Sequence, residues 1–285
     1  MSETTDEFDS AVLVSGWAAI AERRPQLHVE VDWAARTDIG RTREHNEDKF
    51  DFFLPVDPTQ LAVRGRLWAI ADGMGGHHAG QIASEAALKT AVRAFYHAAA
   101  SEDTPTALRA SLSEANALIH HAARQMERKG GGMGTTIVVI VVKEDVLTVA
   151  HVGDSRCYLL RPGEPFRSLT TDHSWVEEQV KRGALSRAEA EISPYRNYIL
   201  RSIGVEKVVE PDVIQITLQV GDTLLLCSDG LCGYIKEESI AKTLADKGAS
   251  QAVLDLVDVA NDAGGKDNVT ALVVRVLNIA PYPTG

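Results

Sequence analysis

The chain has 285 residues, 45% of them hydrophobic and 24% charged, which is enough for one large domain or two small ones with a sizeable core. A net charge of −11 argues against nonspecific nucleic-acid binding, which needs a basic face. No apolar run reaches the roughly 20 residues that span a bilayer, so no membrane span is expected.

The N-terminus opens on acidic residues without a basic region, unlike a signal peptide. Cys157, Cys227 and Cys232 lack zinc-ligand or disulfide spacing. Their odd number suits a reducing compartment, so a cytoplasmic location is expected. Cys157 and Cys227 lie in apolar runs and read as small core residues.

Residues 1–28 form a prefix in which Phe8 to Ile20 has the spacing of a short amphipathic helix through Val12, Leu13, Trp17 and Ile20. From Val29, VEVDWAART alternates as a half-buried strand does. The polar loop RTREHNED then leads into a second strand, KFDFFL, and Leu67 to Ala71 make a third. Gln81 to Ala100 and Pro105 to Lys129 carry helical periodicity, the second with Leu108, Leu112, Ala115, Leu118, Ile119 and Ala122 on one face. After the glycines of GGGMGTT come the strands TIVVIVV, VLTVAHVG and RCYLLR. Thr171 to Leu200 is polar, with helical pieces at Trp175 to Arg182 and Arg187 to Ala190. VIQITL and TLLLCS are strands, Ser239 to Ala245 and Gln251 to Ala263 are helices, and VTALVVRVL closes the domain. Strands and helices come in blocks rather than in strict alternation, which points to an α+β fold with helices covering antiparallel sheets. One domain over residues 29–279, followed by a tail at 280–285, is the simplest division.

The chemistry lies where strands end. Asp72 follows LWAIA, Asp154 follows VLTVAHVG, and Asp229 follows TLLLCS. Asp267 precedes the last strand, and Glu47 and Asp48 precede KFDFFL. A single Asp beside Gly is most often a turn former. Several carboxylates converging at the mouths of apolar strands would repel one another, and divalent cations resolve that conflict. An all-oxygen donor set favours Mg²⁺ or Mn²⁺ over zinc, and two such ions can activate a water for in-line attack on phosphorus. A guanidinium suits the substrate phosphate, with Arg43 the candidate and Arg41 the alternative.

At these residues the sequence resembles the PP2C (PPM) family of metal-dependent serine/threonine phosphatases in its compact bacterial form. The matching blocks, in order, are TDIGRTREHNED, ADGMGGH, GMGTT, HVGDSR, TTDHS, YRNYILRSIG, LLLCSDGL and GKDNVT. The resemblance implies a four-layer αββα sandwich, two central antiparallel sheets flanked by helices, with two Mn²⁺ or Mg²⁺ ions in the channel between the sheets. It implies that Asp72 bridges the ions, that the Gly73 carbonyl joins the second, and that Asp229 and Asp267 complete the first. Glu47 and Asp48 face the second ion, one directly and one through water, in an order left open. Bacterial members often carry a third, weaker ion, for which Asp154 and Asp229 match the ligands. Arg43 matches the phosphate-binding arginine and His77 the proton donor to the leaving group, with His78 as its neighbour and rival. Asn268 would orient Asp267. Gly134, Thr135, Thr136, Ser155 and Arg156 would support the backbone, and Thr171 to Ile203 would form a flap beside the site. The family often has His-Pro where this chain has Ser193-Pro194, a departure that bears on substrate preference.

The implied activity is hydrolysis of phosphoserine and phosphothreonine on proteins by a metal-bridging hydroxide, with no phosphoenzyme. Reversal of a eukaryotic-like serine/threonine kinase is the implied role. A pseudophosphatase binding module and a hydrolase of a small phosphorylated metabolite are the competing readings.

Overall fold

The structure, a computed structural model, describes residues 23–75, 78–127 and 132–283. The helix expected at Phe8 to Ile20 lies outside the described residues, as does His77. Strands β1 (Leu27–Asp38) and β2 (Asp48–Phe53) are followed by a short helix α1 (Pro58–Arg64) and strand β3 (Arg66–Met74). Two long helices follow, α2 (Ala79–His97) and α3 (Thr104–Glu127). The next block is strands β4 (Gly134–Thr135), β5 (Ile137–Lys143), β6 (Val146–Val152), β7 (Arg156–Leu160) and β8 (Arg167–Ser168). Helices α4 (Trp175–Lys181) and α5 (Arg187–Ile192) lie in the polar segment, and strands β9 (Asp212–Thr217) and β10 (Thr223–Cys227) follow it. Helices α6 (Asp229–Cys232), α7 (Glu237–Asp246) and α8 (Ala249–Asp262) precede the last strand, β11 (Val269–Pro281).

Two antiparallel sheets result. The first has the order β1-β11-β10-β7-β8; the second runs β2-β3-β5-β6-β9, with β4 added beside β3. The side-chain alternation of single strands builds four layers. Leu67, Ala69 and Ala71 face the α2–α3 pair, where Ala83, Ala87, Leu108, Leu112, Ala115 and Ile119 meet them. Trp68 and Ile70, the intervening residues, face the other sheet and pack with Leu224, Leu226, Leu272 and Val274. Leu225, Ala271 and Val273 point the opposite way, onto Ile240, Leu244, Leu256 and Val257 of α7 and α8. Runs such as IVVIVVK and TLLLC are buried on both faces and therefore read as continuously apolar although their sheets are antiparallel. Leu118, expected on the buried face of α3, is exposed; Ala123 and Ala107 take part instead.

β1 pairs with β11 from Leu27↔Pro281 to Asp38↔Val269, so the sheet extends two residues beyond both expected ends of the domain. The extension at the start is held by Glu144 in the β5–β6 turn, whose carboxylate accepts the backbone N–H groups of Gln26 and Leu27. Helix α1 was not expected from the sequence. Asp57 caps it by accepting the Gln60 N–H, Pro58 occupies its first turn, and seven residues are too few for a clear period.

Candidate active site

Both sheets deliver carboxylates to one place. Asp48 and Asp72 are direct partners in the β2–β3 register, which sets two acidic side chains opposite each other. Like charges so placed destabilise a sheet unless something neutralises them. Asp154 sits in the turn after β6. From the first sheet come Asp229, which opens α6 directly after β10, and Asp267, two residues before β11.

The electrostatics show the convergence. Burial, together with the charges of Asp48, Asp229, Asp154 and Asp267, holds the Asp72 carboxyl well above the usual carboxylate range. Asp229 is pushed up to about 6 by burial and by Asp267, against the pull of a hydrogen bond with Asp72 and of nearby Arg43. Burial, with Asp229 and Asp267 adding to it, raises Asp48 to about 7 although Ser228 and Thr270 donate hydrogen bonds to it. Asp154 is raised well above its ordinary value by burial and by Asp229 and Asp172. Glu47 is raised as well, by burial and, more weakly, by Asp267.

The surrounding hydrogen bonds fix the backbone and leave selected oxygens free. Asp48 Oδ2 accepts from Ser228 Oγ at 2.6 Å and Thr270 Oγ1 at 2.8 Å, two residues of the opposite sheet. Asp48 Oδ1 and Asp154 Oδ1 are buried and have no hydrogen-bond partner. Such orphaned acceptors are costly in a folded protein and mark a place for a cation or another donor. Asp72 is held by its backbone: its N–H donates to Thr136 Oγ1 at 3.1 Å, and its carbonyl accepts from Thr135 Oγ1 and the Thr136 N–H, both at 2.8 Å. Thr136 Oγ1 also lies 2.8 Å from Ser155 Oγ, linking this strand to the turn of Asp154. Glu47 is kept in place by contact, its carboxylate lying where a Cβ on Gly80 would fall.

Arg43 Nη2 donates to Asp267 Oδ2 at 2.7 Å, and the side chain is half exposed. Arg41 binds Gly265 O through its backbone N–H and lies near Asp38. Of the two candidates the fold brings Arg43 to the carboxylates. Asn268 does more than orient Asp267, whose Oδ1 accepts its backbone N–H. Its side chain donates to Ile39 O and His45 O and accepts the Glu47 N–H, so it staples both ends of the loop that carries Arg43. His78 is exposed at the start of α2, its ring 4.7 Å from that of His45. Arg156 makes a bidentate pair with Asp172, at 2.8 and 2.7 Å, on the near limb of the flap segment.

Ser228 and Thr270 were not singled out from the sequence. The one available signal was a threonine inside the apolar run VTALVVRVL, where a polar side chain needs a partner. A cluster of His151, His173 and Asp212 at the base of the flap was also missed, because its members lie on separate strands and loops.

The arrangement can hold hard divalent cations, since every donor is a carboxylate or carbonyl oxygen and the carboxylates repel one another without them. A sequence model of the family described as Protein phosphatase 2C matches residues 41–269. The serine/threonine phosphatase stp of Listeria monocytogenes is 39% identical over 245 residues, 84% of this chain and 94% of the relative. The protein phosphatase PhpP of Streptococcus pneumoniae is 37% identical over 245 residues, 84% of this chain and 95% of that one. Among solved structures, the Mycobacterium tuberculosis serine/threonine phosphatase PstP/Ppp superposes with a TM-score of 0.76 at 34% identity, covering 88% of this chain and 100% of the other. The PstP catalytic domain in complex with two manganese ions gives 0.73 at the same identity, covering 88% of this chain and 100% of that one. The chain therefore belongs to the protein phosphatase 2C family and is a serine/threonine protein phosphatase.

Proposed function

We propose that this protein hydrolyses phosphoserine and phosphothreonine monoesters on proteins by direct attack of water, with no phosphoenzyme intermediate. The observation that carries this reading is the convergence of Asp48, Asp72, Asp154, Asp229 and Asp267, with two of their buried oxygens lacking any partner. Asp72, the Gly73 carbonyl, Asp229 and Asp267 would hold two Mn²⁺ or Mg²⁺ ions, with Glu47 and Asp48 on the side of the second. Asp154 and Asp229 would hold a third. The ions, when bound, supply a water ionised near neutral pH and positive charge for the phosphate oxygens.

The chain's own residues do the rest. Arg43, half exposed and beside Asp267, presents a planar guanidinium that can give two parallel hydrogen bonds to a phosphate. Ser228 and Thr270 keep one Asp48 oxygen engaged, so the other stays directed into the site. His77, outside the described residues, is assigned proton donation to the departing serine or threonine oxygen from its place after the GMGG turn. A thiol nucleophile has no support: Cys157 and Cys227 are fully buried, and none of the three cysteines has an arginine six residues on. The matching partner is a eukaryotic-like serine/threonine kinase in the cytoplasm.

The test uses a phosphothreonine peptide and p-nitrophenyl phosphate, each with Mn²⁺ and then with EDTA, beside the Asp229→Asn variant. Both substrates should turn over only with metal, and the variant should lose at least about 100-fold, the scale expected when a charged catalytic interaction is removed. Absence of metal-dependent turnover by the wild type would leave a binding module. Turnover of the aryl ester but no phosphopeptide would favour a small phosphorylated metabolite.

A further inference from the structure

Asp48 belongs to the second sheet, yet the hydroxyls that grip its side chain come from the first. Ser228, the residue after β10, donates from Oγ to Asp48 Oδ2 at 2.6 Å. Thr270, the second residue of β11, donates from Oγ1 to the same oxygen at 2.8 Å. These two residues also hold each other: the Thr270 N–H donates to Ser228 Oγ at 3.0 Å, and the Ser228 N–H donates to Thr270 O at 3.2 Å. Thr37 of β1 is the direct register partner of Thr270, and their hydroxyl oxygens lie 2.8 Å apart. Asn46 closes the circuit. Its Nδ2 donates to Thr37 Oγ1 at 2.9 Å, and its Oδ1 accepts the Asp48 N–H at 3.0 Å. Asp48, Ser228 and Thr270 are buried, and a satisfied polar network in such surroundings is stiff.

The gripping residues lie next to the carboxylates of the first sheet. Ser228 immediately precedes Asp229, and Thr270 follows Asp267 by three positions. Asn268, between them, makes a parallel link by accepting the Glu47 N–H at 2.8 Å. On the other side, Asp48 is the register partner of Asp72. The circuit therefore sets how far the Asp48–Asp72 side stands from the Asp229–Asp267 side. Asp72 and Asp229 also hydrogen-bond across this gap, but two carboxyl groups can do so only while they share a proton. The circuit needs none, because its donors are hydroxyls, a side-chain amide and backbone N–H groups. It holds the two sheets together when every carboxyl is ionised, and it leaves Asp48 Oδ1 without a partner.

That spacing has a chemical consequence. Ca²⁺ takes oxygen ligands at about 2.3–2.6 Å and Mg²⁺ at about 2.0–2.1 Å, so opposed oxygens must spread by roughly 0.5–1 Å to accept the larger ion. A site that yields admits both ions, whereas a site of fixed width favours the small one.

We propose that Ser228, Thr270, Thr37 and Asn46 are positioning residues that clasp the two sheets at Asp48 and so make the site selective for small divalent cations over Ca²⁺. The proposal rests on the reading of the carboxylates as cation ligands.

The experiment compares the full-length wild type with Thr270→Val and Thr270→Ser. Valine keeps the shape of threonine and removes the hydroxyl; serine keeps the hydroxyl. Affinities for Mn²⁺ and for Ca²⁺ are measured by calorimetry on metal-stripped protein without substrate, and a melting curve checks that each variant is folded. A second arm measures the Ca²⁺ concentration that halves Mn²⁺-dependent turnover of p-nitrophenyl phosphate. The wild type should bind Mn²⁺ more tightly than Ca²⁺. Thr270→Val should lose about tenfold in Mn²⁺ affinity, the scale of one hydrogen bond to a charged group, while its Ca²⁺ affinity changes by less than about twofold. The inhibitory Ca²⁺ concentration should fall by a similar factor of about ten. Thr270→Ser should stay within about twofold of wild type in all of these.

A folded Thr270→Val protein with the wild-type preference for Mn²⁺ over Ca²⁺ would overturn the proposal, whether both affinities are unchanged or both fall together. So would equal damage in Thr270→Ser, which would place the effect in the packing of the threonine methyl group. If Thr270→Val fails to fold, Thr37→Val, which breaks the circuit one residue further from Asp48, is held to the same narrowing of the preference. A wild type that binds neither ion defeats the cation reading and the proposal with it. A wild type that prefers Mn²⁺ beside variants that keep the preference defeats the clasp alone.

Discussion

Asp48 and Asp229 give the site a pH dependence whose sign follows from their surroundings. Both titrate above the unfolded value, Asp48 at about 7 and Asp229 at about 6, first because they are buried and then because other carboxylates surround them. A carboxyl raised in this way favours the folded state while it keeps its proton, and that contribution is lost as pH rises through the folded pKa. The metal-free protein should therefore lose stability as pH rises from about 4 to 7, by on the order of 2 kcal/mol for Asp229 alone. Saturating Mn²⁺ should reverse the trend, since cations bind the ionised form. Asp229→Asn should show a flatter metal-free profile and a higher melting temperature than the wild type in EDTA, whatever its activity. A metal-free melting curve that does not move between pH 4 and 7 would contradict the crowding of charge described above.

At the scale of elements, the short helix α6 and the start of β11 meet so closely that only glycine fits between them. A Cβ on Gly230 would lie 1.8 Å from Asn268 O and 3.5 Å from the Asp267 Cβ. Gly230→Ala would thus push Asp229 away from Asp267 and strain the residue that staples the Arg43 loop. Overpacking of this kind typically costs about 1–3 kcal/mol, and the Mn²⁺ concentration for half-maximal activity should rise about tenfold as the two carboxylates separate. Full activity at wild-type Mn²⁺ would show that the junction relaxes without moving the carboxylates.

The sequence made the strand-end acids legible because an apolar run that stops at an aspartate announces a buried carboxylate. The same local pattern, Asp after TLLLCS and before VTALVVRVL, could not reveal that Gly230 and Asn268 touch. Nor could it reveal that Ser228 and Thr270 reach Asp48 across 180 and 222 residues. Those contacts belong to the packing of one sheet on the other, and no period in the chain encodes them.

Across the whole molecule, the site draws on both sheets: Asp48, Asp72 and Asp154 from one, Asp229 and Asp267 from the other. The described chain enters this body near the far end of the β1–β11 ladder. Arg23 Nη1 donates to Ala100 O, and Gln26 and Leu27 are held by Glu144. Deleting Met1 to Glu22 should leave aryl-ester turnover within about twofold and the melting temperature within about 2 °C, because these anchoring contacts remain. A larger loss would show that the first 22 residues belong to the folded domain. The ladder itself runs twelve residues, about 40 Å at the usual rise, so that end is remote from Asp267.

The position of β11 also bears on how the chain is made. It is the last strand of the described residues, yet it lies between β1 and β10 in the interior of its sheet. Until its residues leave the ribosome, the first strand and β10 each present an unpaired edge, and the closing contact joins residues more than 230 positions apart. Asp267 arrives with the same stretch, so a nascent chain stopped before it would lack both the middle of a sheet and one wall of the carboxylate cluster. Closure of the first sheet and completion of the carboxylate cluster are therefore reached in a single late step of biogenesis.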